Sequence, residues 1–309
     1  MTLKRIAAVV ILAAMLTMGM MSVAGAKTYN VVLVLKNFVN PVWLDMQRGG
    51  EAAAKELGIN IKTLAPLKAD NNEEQVKAIE DAIIQKVDAI VVVPSDSNGI
   101  IPAIEKANKA GIPVINVNTK ANGGKCETFV AVENYDAAFM VAEAMGAKLN
   151  GKGTVIVLEG VPGAQSAIDL DAGTKAALKK YPGIEIVASQ TAKFQRAEAM
   201  KVMENLLQRF PNVSAVLAAN DEMALGAVEA IDAIGKTGKI LVSGLDANAD
   251  AVKAIAAGKM TISCDKRSYQ QGYEGVKAAV KFLNGEKLPA RVVIQTNVVD
   301  SSNIANYVK

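Results

Sequence analysis

The sequence predicts an α/β protein of two lobes, each built on a parallel sheet with helices over both faces. Three observations predict it. Short apolar strands alternate with amphipathic helices from Tyr29 onward, the pattern of βαβ units whose sheets are covered on both sides. The alternation restarts at Phe129 after a first set of strands and helices. No Pro/Gly/Ser-rich linker divides the two sets, which favours several short crossings over a single tether. A length of 309 residues suits two domains of ordinary size.

Taken in order, Tyr29 to Leu35 is an apolar strand. Pro41 to Leu57 is a helix with Pro at its first position and Gly58 just past its end, the usual punctuation of a helix. Ile59 to Ala65 reads as a strand, Glu73 to Lys86 as a helix and Ala89 to Val93 as a fully apolar strand. Ile100 to Ala110 is a helix closed by Gly111, and Val114 to Val117 the next strand. Phe129 to Val132, Thr154 to Leu158, Ile184 to Thr191 and Val213 to Ala219 continue as strands, separated by helices over Asn134 to Leu149, Ser166 to Lys180 and Arg196 to Arg209. Met223 to Ile234, Ala249 to Ala257 and Tyr269 to Leu283 are helical, with strands at Ile240 to Gly244, Thr261 to Cys264 and Val292 to Gln295. No repeat of solenoid length interrupts the pattern.

The first 26 residues are of another kind. Lys4 and Arg5 precede a nearly continuous apolar run from Ile6 to Met21, and Ala24-Gly25-Ala26 offers small residues for cleavage. That predicts a secretory signal peptide cleaved after Ala26, and hence a periplasmic protein. The apolar run falls short of the ~20 residues that a membrane span needs. Without Lys4 and Arg5, the 34 basic residues become 32 against 31 acidic ones, a net charge of +1. Nothing in that balance draws the chain to nucleic acid or anionic lipid.

Much chemistry is excluded by composition. There is no His, so the commonest general base and the commonest metal ligand are both missing, and neither an enzyme nor a metal or other cofactor is expected. The segment Gly146-Ala147-Lys148-Leu149-Asn150-Gly151-Lys152-Gly153 comes close to a phosphate-binding loop but ends on Gly153 where Ser or Thr is needed. It also joins a helix to a strand, the reverse of the required order. Gly160-Val161-Pro162-Gly163 lies after a strand and before a helix, where ligands bind in open parallel sheets.

One stretch carries a more specific signal. Val213 to Ala219 ends on Asn220-Asp221, good helix-capping residues, and a helix follows with negative charge in its first turn. The wording from Asn220 to Ala227, Asn-Asp-Glu-Met-Ala-Leu-Gly-Ala, closely resembles the segment carried by ribose-type periplasmic sugar-binding proteins of ABC transporters and by the effector domains of LacI-type repressors. The resemblance runs from about Tyr29 to the C-terminus. It implies two doubly wound parallel-sheet lobes joined by three crossovers, near Val132-Glu133, Cys264-Asp265 and Ile294-Gln295. The first lobe would then comprise residues 27–132 and 265–294, and the second 133–264 and 295–309. Cys126 lies several residues before the first crossover and Cys264 at the second. At ~3.3 Å per extended residue that offset exceeds the ~5.5 Å Cα spacing of a disulfide, so two free thiols are expected.

The resemblance also implies a set of ligand-binding residues in the cleft. In Lys36-Asn37-Phe38-Val39-Asn40-Pro41-Val42-Trp43, Asn40 would hydrogen-bond a sugar and Trp43 would stack on its apolar face; Trp43 could equally be a core residue. Lys36 occupies a position that contacts ligand in some relatives, or is a solvated strand end. Asn118 and Thr119 stand where ribose-binding relatives carry an Asp-Arg pair, and Leu170, beside Asp169, stands where they carry a second Arg. Neither Thr nor Leu can replace a bidentate guanidinium, which argues against ribose itself. Phe194 matches a ligand-stacking Phe, Asn220 sits where a strand ends and a helix begins, and Asp246 in Gly244-Leu245-Asp246 matches a sugar-hydroxyl acceptor or caps the helix that follows. Asp265 or Lys266 would fill the position of a family Gln at the second crossover.

The sequence therefore predicts a monomeric periplasmic protein that captures a monosaccharide or polyol, closes by hinge motion and delivers its ligand to an ABC transporter permease. A sensor subunit presenting the closed form to a chemoreceptor or histidine kinase is the alternative. A repressor is disfavoured, because the apolar leader stands where DNA-binding helices would be and no basic headpiece exists.

Overall fold

The structure is a computed structural model and describes residues 28–308; the leader expected over residues 1–26 lies outside them. In chain order the first elements are β1 (Asn30–Val34), α1 (Pro41–Leu57), β2 (Asn60–Leu64), α2 (Asn72–Ile84), β3 (Ala89–Val92), α3 (Ile101–Lys109), β4 (Val114–Val117) and β5 (Thr128–Ala131). There follow α4 (Asn134–Lys148), β6 (Lys152–Glu159), α5 (Gln165–Leu178), β7 (Gly183–Thr191), α6 (Arg196–Arg209), β8 (Ala215–Ala218) and α7 (Asp221–Ala233). The chain ends with β9 (Leu241–Ser243), α8 (Ala249–Ala256), β10 (Ile262–Asp265), α9 (Ser268–Leu283), β11 (Arg291–Val293) and β12 (Asn297–Asp300).

The strands form two six-stranded sheets, in the orders β11-β5-β4-β3-β1-β2 and β12-β10-β9-β8-β6-β7. Every pairing is parallel except β10 with β12. The α/β class and the two parallel-sheet lobes are therefore as the sequence predicts. Strand order reverses between β1 and β3 in one sheet and between β6 and β8 in the other. Helices on either side of such a reversal pack on opposite faces, leaving a crevice at the carboxyl ends of the strands.

Alternation along β1 shows how each sheet buries both faces. Val31, Leu33 and Leu35 join a core with Met46 and Ile115, while Val32 and Val34 join another with Ile90 and Ile104. The second sheet does the same with Ile156 and Leu158 on one face and Val155 on the other.

The chain passes from the first sheet to the second after β5, returns after β10, and crosses again between β11 and β12. Two details differ from expectation. β10 runs on through Asp265, which pairs with Asn297, so the second passage begins beyond Cys264-Asp265. The strand read as Val292 to Gln295 stops at Val293, and a separate strand, β12, was not foreseen. The chain leaves one sheet and joins the other over residues 294–296, and no single strand can serve both. Both cysteines are free: Cys126 is half-buried, and Cys264 is buried with its sulfur 2.9 Å from Thr296 Oγ1.

Helix α9 returns to the first sheet and packs on α1 at backbone contact. A Cβ added to Gly272 would lie 2.0 Å from the Met46 carbonyl oxygen, and one added to Gly49 would lie 1.9 Å from that of Tyr269. Backbone cannot yield as a flexible side chain can. Gly272→Ala should therefore lower unfolding stability by about 1–3 kcal/mol, the scale of overpacking. An unchanged urea midpoint would show that α1 and α9 separate freely.

Candidate functional site

Loops at the carboxyl ends of both sheets enclose a cavity of about 360 Å³, within the range of small-molecule sites. From the first sheet come Lys36 and Asn40 after β1, Asp70 after β2 and Asn118 after β4; from the second come Phe194 after β7, Asn220 after β8 and Asp246 after β9. Lys266, on the passage between the sheets, and Trp43, on the first turn of α1, also line it; of these wall residues, all but Asp70 are ones the sequence points to.

Local chemistry places each of these groups. Asn40 is the N-cap of α1, its Oδ1 accepting from Val42 N at 3.2 Å. The residue also lines the cavity. Asn220 caps α7 through Met223 N at 3.0 Å and donates through Nδ2 to the Phe194 carbonyl at 3.3 Å, so its amide is largely committed to shape. The cap of α8 is Asn248, whose Oδ1 accepts from Asp250 N and Ala251 N; Asp246 is thus not the cap and points elsewhere. Asn118, Phe194 and Asp246 all have positive φ, at 61°, 59° and 132°. Non-glycine residues held so store strain of the kind found at binding sites.

The Gly160-Val161-Pro162-Gly163 turn gains a physical meaning here. A Cβ at Gly160 would lie 2.1 Å from Phe194 Cζ, and one at Gly163 would lie 2.4 Å from Asp96 Oδ2. The first glycine admits the Phe194 ring, and the second lets two loops from opposite sheets meet. At that meeting Ser97 N donates to the Gly163 carbonyl at 3.1 Å and Gln165 N donates to Ser97 Oγ at 2.9 Å. Nearby, Thr119 Oγ1 donates to Ser166 Oγ at 3.0 Å.

Charge in the cavity is mixed. Lys36 is 2% exposed, with its Nζ 5.7 Å from the Trp43 ring centroid and 5.9 Å from that of Phe194. Burial pushes its ammonium down to about 8, aided by repulsion from Lys266 and opposed by Asp70. Burial raises Asp70, against the pull of Lys36, and raises Asp246 well above the carboxylate range, against the pull of Lys266. Asp221, fully buried behind the wall, accepts from Ser263 Oγ and Asn248 N, and burial carries it to about 7. Among the described residues, no cluster of three metal-ligating side chains exists, and no helix is long and apolar enough to cross a membrane.

Four sequence-derived candidates lie off the wall. Leu170 is 1% exposed, in the core between α5 and the second sheet. Asp169, its neighbour on α5, accepts from Gln165 Nε2 at 2.8 Å. Thr119 is fully buried and spends its hydroxyl on Ser166. Asp265 is in β10, where its carboxylate holds Arg267 at 3.1 Å; of the pair Asp265 and Lys266, the lysine faces the cavity.

Several wall residues escaped sequence reasoning. Asp70 sits at φ 56° in the loop after β2; the signal for it was a buried Lys36 in need of an opposite charge. Arg196 lines the second-sheet side, but its guanidinium is held by Glu222 at 3.1 Å through both Nε and Nη2 and by Asp250 at 3.3 Å. Gln271 supports the wall from behind, accepting from Asn118 Nδ2 at 3.1 Å and donating to the Lys266 carbonyl at 2.6 Å.

Known proteins share this architecture. The model of a periplasmic binding protein domain matches residues 31–287. The ribose import binding protein of Bacillus subtilis is 36% identical over 262 residues, 85% of this chain and 84% of its own length. The D-allose-binding periplasmic protein of Escherichia coli is 33% identical over 91% of this chain and 94% of its own. Among solved structures, an ABC transporter periplasmic solute-binding protein of Actinobacillus succinogenes with bound D-allose superposes with a TM-score of 0.87 at 34% identity, covering 91% of this chain and all of that one. A solute-binding protein of Bacillus halodurans with bound myo-inositol gives 0.85 at 29% identity, covering 92% and 98%. These relatives are binding proteins, not enzymes, and the chain belongs to the periplasmic binding protein family.

Proposed function

We propose that this chain is an exported solute-binding protein that captures a monosaccharide or polyol between its lobes and delivers it to an ABC transporter permease. The observation that carries this is the cavity itself. Hydrogen-bonding groups from both sheets converge on one small volume, with Trp43 from the first lobe and Phe194 from the second supplying flat apolar area. The similar proteins bind ribose, D-allose or myo-inositol, and their import roles favour transport over the sensory alternative. A ligand that binds only the folded form raises its melting temperature. A thermal-shift screen of pentoses, hexoses, polyols, amino sugars and sugar acids should find at least one clear stabiliser; a flat screen across all of them would sink the proposal.

Closure by hinge motion follows from the same arrangement, since ligand contacts come from both lobes. The Thr119–Ser166 and Ser97–Gly163–Gln165 hydrogen bonds would exist only with the lobes together. Thr119→Val removes one hydroxyl at nearly constant volume. It should weaken ligand binding by about 0.5–1.5 kcal/mol, the net scale of one hydrogen bond, chiefly through faster dissociation. Unaltered affinity with an unaltered dissociation rate would show that this contact does not hold the closed form.

A further inference from the structure

The two ammonium groups of the cavity form no ion pair and no hydrogen bond with the described residues. Lys36 is 2% exposed and Lys266 is 6% exposed. Neither Nζ makes a hydrogen bond, or an ion pair within 4.0 Å, with any described residue. A buried charge is costly unless something pairs with it, and both side chains face the cavity. They approach it from different directions, one from the end of β1 and the other from the passage after β10. Their fields overlap, for the Lys266 ammonium disfavours the charge of Lys36.

The remaining cation of the wall is already spent. Arg196 is neutralised by Glu222 and Asp250. Asp70 and Asp246 lie within electrostatic range of the two lysines without forming an ion pair. They remain acceptors for hydroxyl groups. Burial disfavours the charge of both. A phosphate dianion would set two charges against these same two carboxylates, whereas a carboxylate sets only one.

We infer that the ligand is a sugar acid, an aldonate or uronate, whose carboxylate lies between the Lys36 and Lys266 ammonium groups while Asp70 and Asp246 accept from its hydroxyls. This rests on the sugar-binding function proposed above and narrows it to an anionic class.

Matched pairs test it by calorimetry on the mature chain: D-gluconate and D-glucuronate against D-glucose, and D-galacturonate against D-galactose, with D-allose, D-ribose, myo-inositol and D-glucose 6-phosphate alongside. At least one acid should bind ten times more tightly than its neutral parent. Lys266→Met and Lys36→Met should each reduce that preference below threefold. A neutral parent that binds as well as its acid overturns the inference, as does an acid preference that survives both substitutions or a tighter sugar phosphate. Binding of a neutral sugar or polyol without any acid overturns this inference and leaves the proposed function standing. Binding of nothing in the panel overturns both.

Discussion

Trp43→Ala should lower both the stability of the unliganded protein and its affinity for ligand. The indole is 8% exposed and packs in the core of the first sheet with residues of β1, β4 and α1, yet one side of it forms cavity wall. Sequence reasoning set a core position against a cleft position; the ring is packed in the core and also lines the cavity. The position on α1 explains why. Asn40 and Pro41 start the helix at the crevice, so its first-turn residues have one side toward the sheet and the other toward the cavity. Removing the ring leaves a cavity whose lining cannot fully collapse, at a cost of about 3–5 kcal/mol in unfolding free energy. Trp43 is the single Trp of the chain, so ligand binding should also change its emission with no second indole to dilute the signal. Urea unfolding of the variant and fluorescence titration of the normal chain are the measurements. A variant as stable as the parent would remove Trp43 from the core, and an indole silent to a ligand proven by calorimetry would remove it from the site.

How far the sequence revealed the site depended on what each residue answers to. Strand ends and helix starts are local events. Pro41, Gly58 and Asn220 mark them within a few residues, and the bounds of α1 are those the sequence predicts. Lys36, Asn118, Phe194 and Asp246 follow strand ends in the same way, and all four reach the cavity. Positional likeness failed where the local pattern pointed the other way. Leu170 belongs to the buried stripe of α5 with Ala167, Thr174 and Ala177, spaced three or four residues apart as a core-facing side must be. That periodicity outweighs an alignment with an arginine. Thr119 without a guanidinium is short enough for its hydroxyl to meet Ser166 instead. Asp70, Arg196 and Gln271 depend on contacts between segments far apart in the chain, which no local spacing encodes. The final strand was missed for a related reason. Its register is set by an antiparallel partner, β10, and not by its own short apolar run.

Lys36→Met should make the unliganded protein more stable and its ligand binding weaker. The ammonium of Lys36 is buried, and burial lowers its pKa from 10.5 to about 8. The groups facing it are Asp70, which supports its charge, Lys266, which opposes it, and the rings of Trp43 and Phe194. A lowering of that size corresponds to a destabilisation of about 3 kcal/mol while the group is charged in both states. The sign against pH follows from proton counts. Between pH 8 and 10.5 the unfolded chain holds the lysine proton that the folded chain has released, so stability rises with pH across that window through this group. Below pH 8 the full penalty applies. Methionine has similar length and no charge to bury, so the variant should gain roughly 2–3 kcal/mol near pH 7 and lose this contribution to the rise above pH 8. Denaturant unfolding of both proteins at pH 7 and pH 10 isolates the effect, because all other lysines and tyrosines titrate in both. A charge kept at a cost to stability is what a functional site is expected to contain. If Lys36→Met proves less stable than the parent at pH 7, the ammonium has a partner in the folded chain, and its claim on a ligand weakens accordingly.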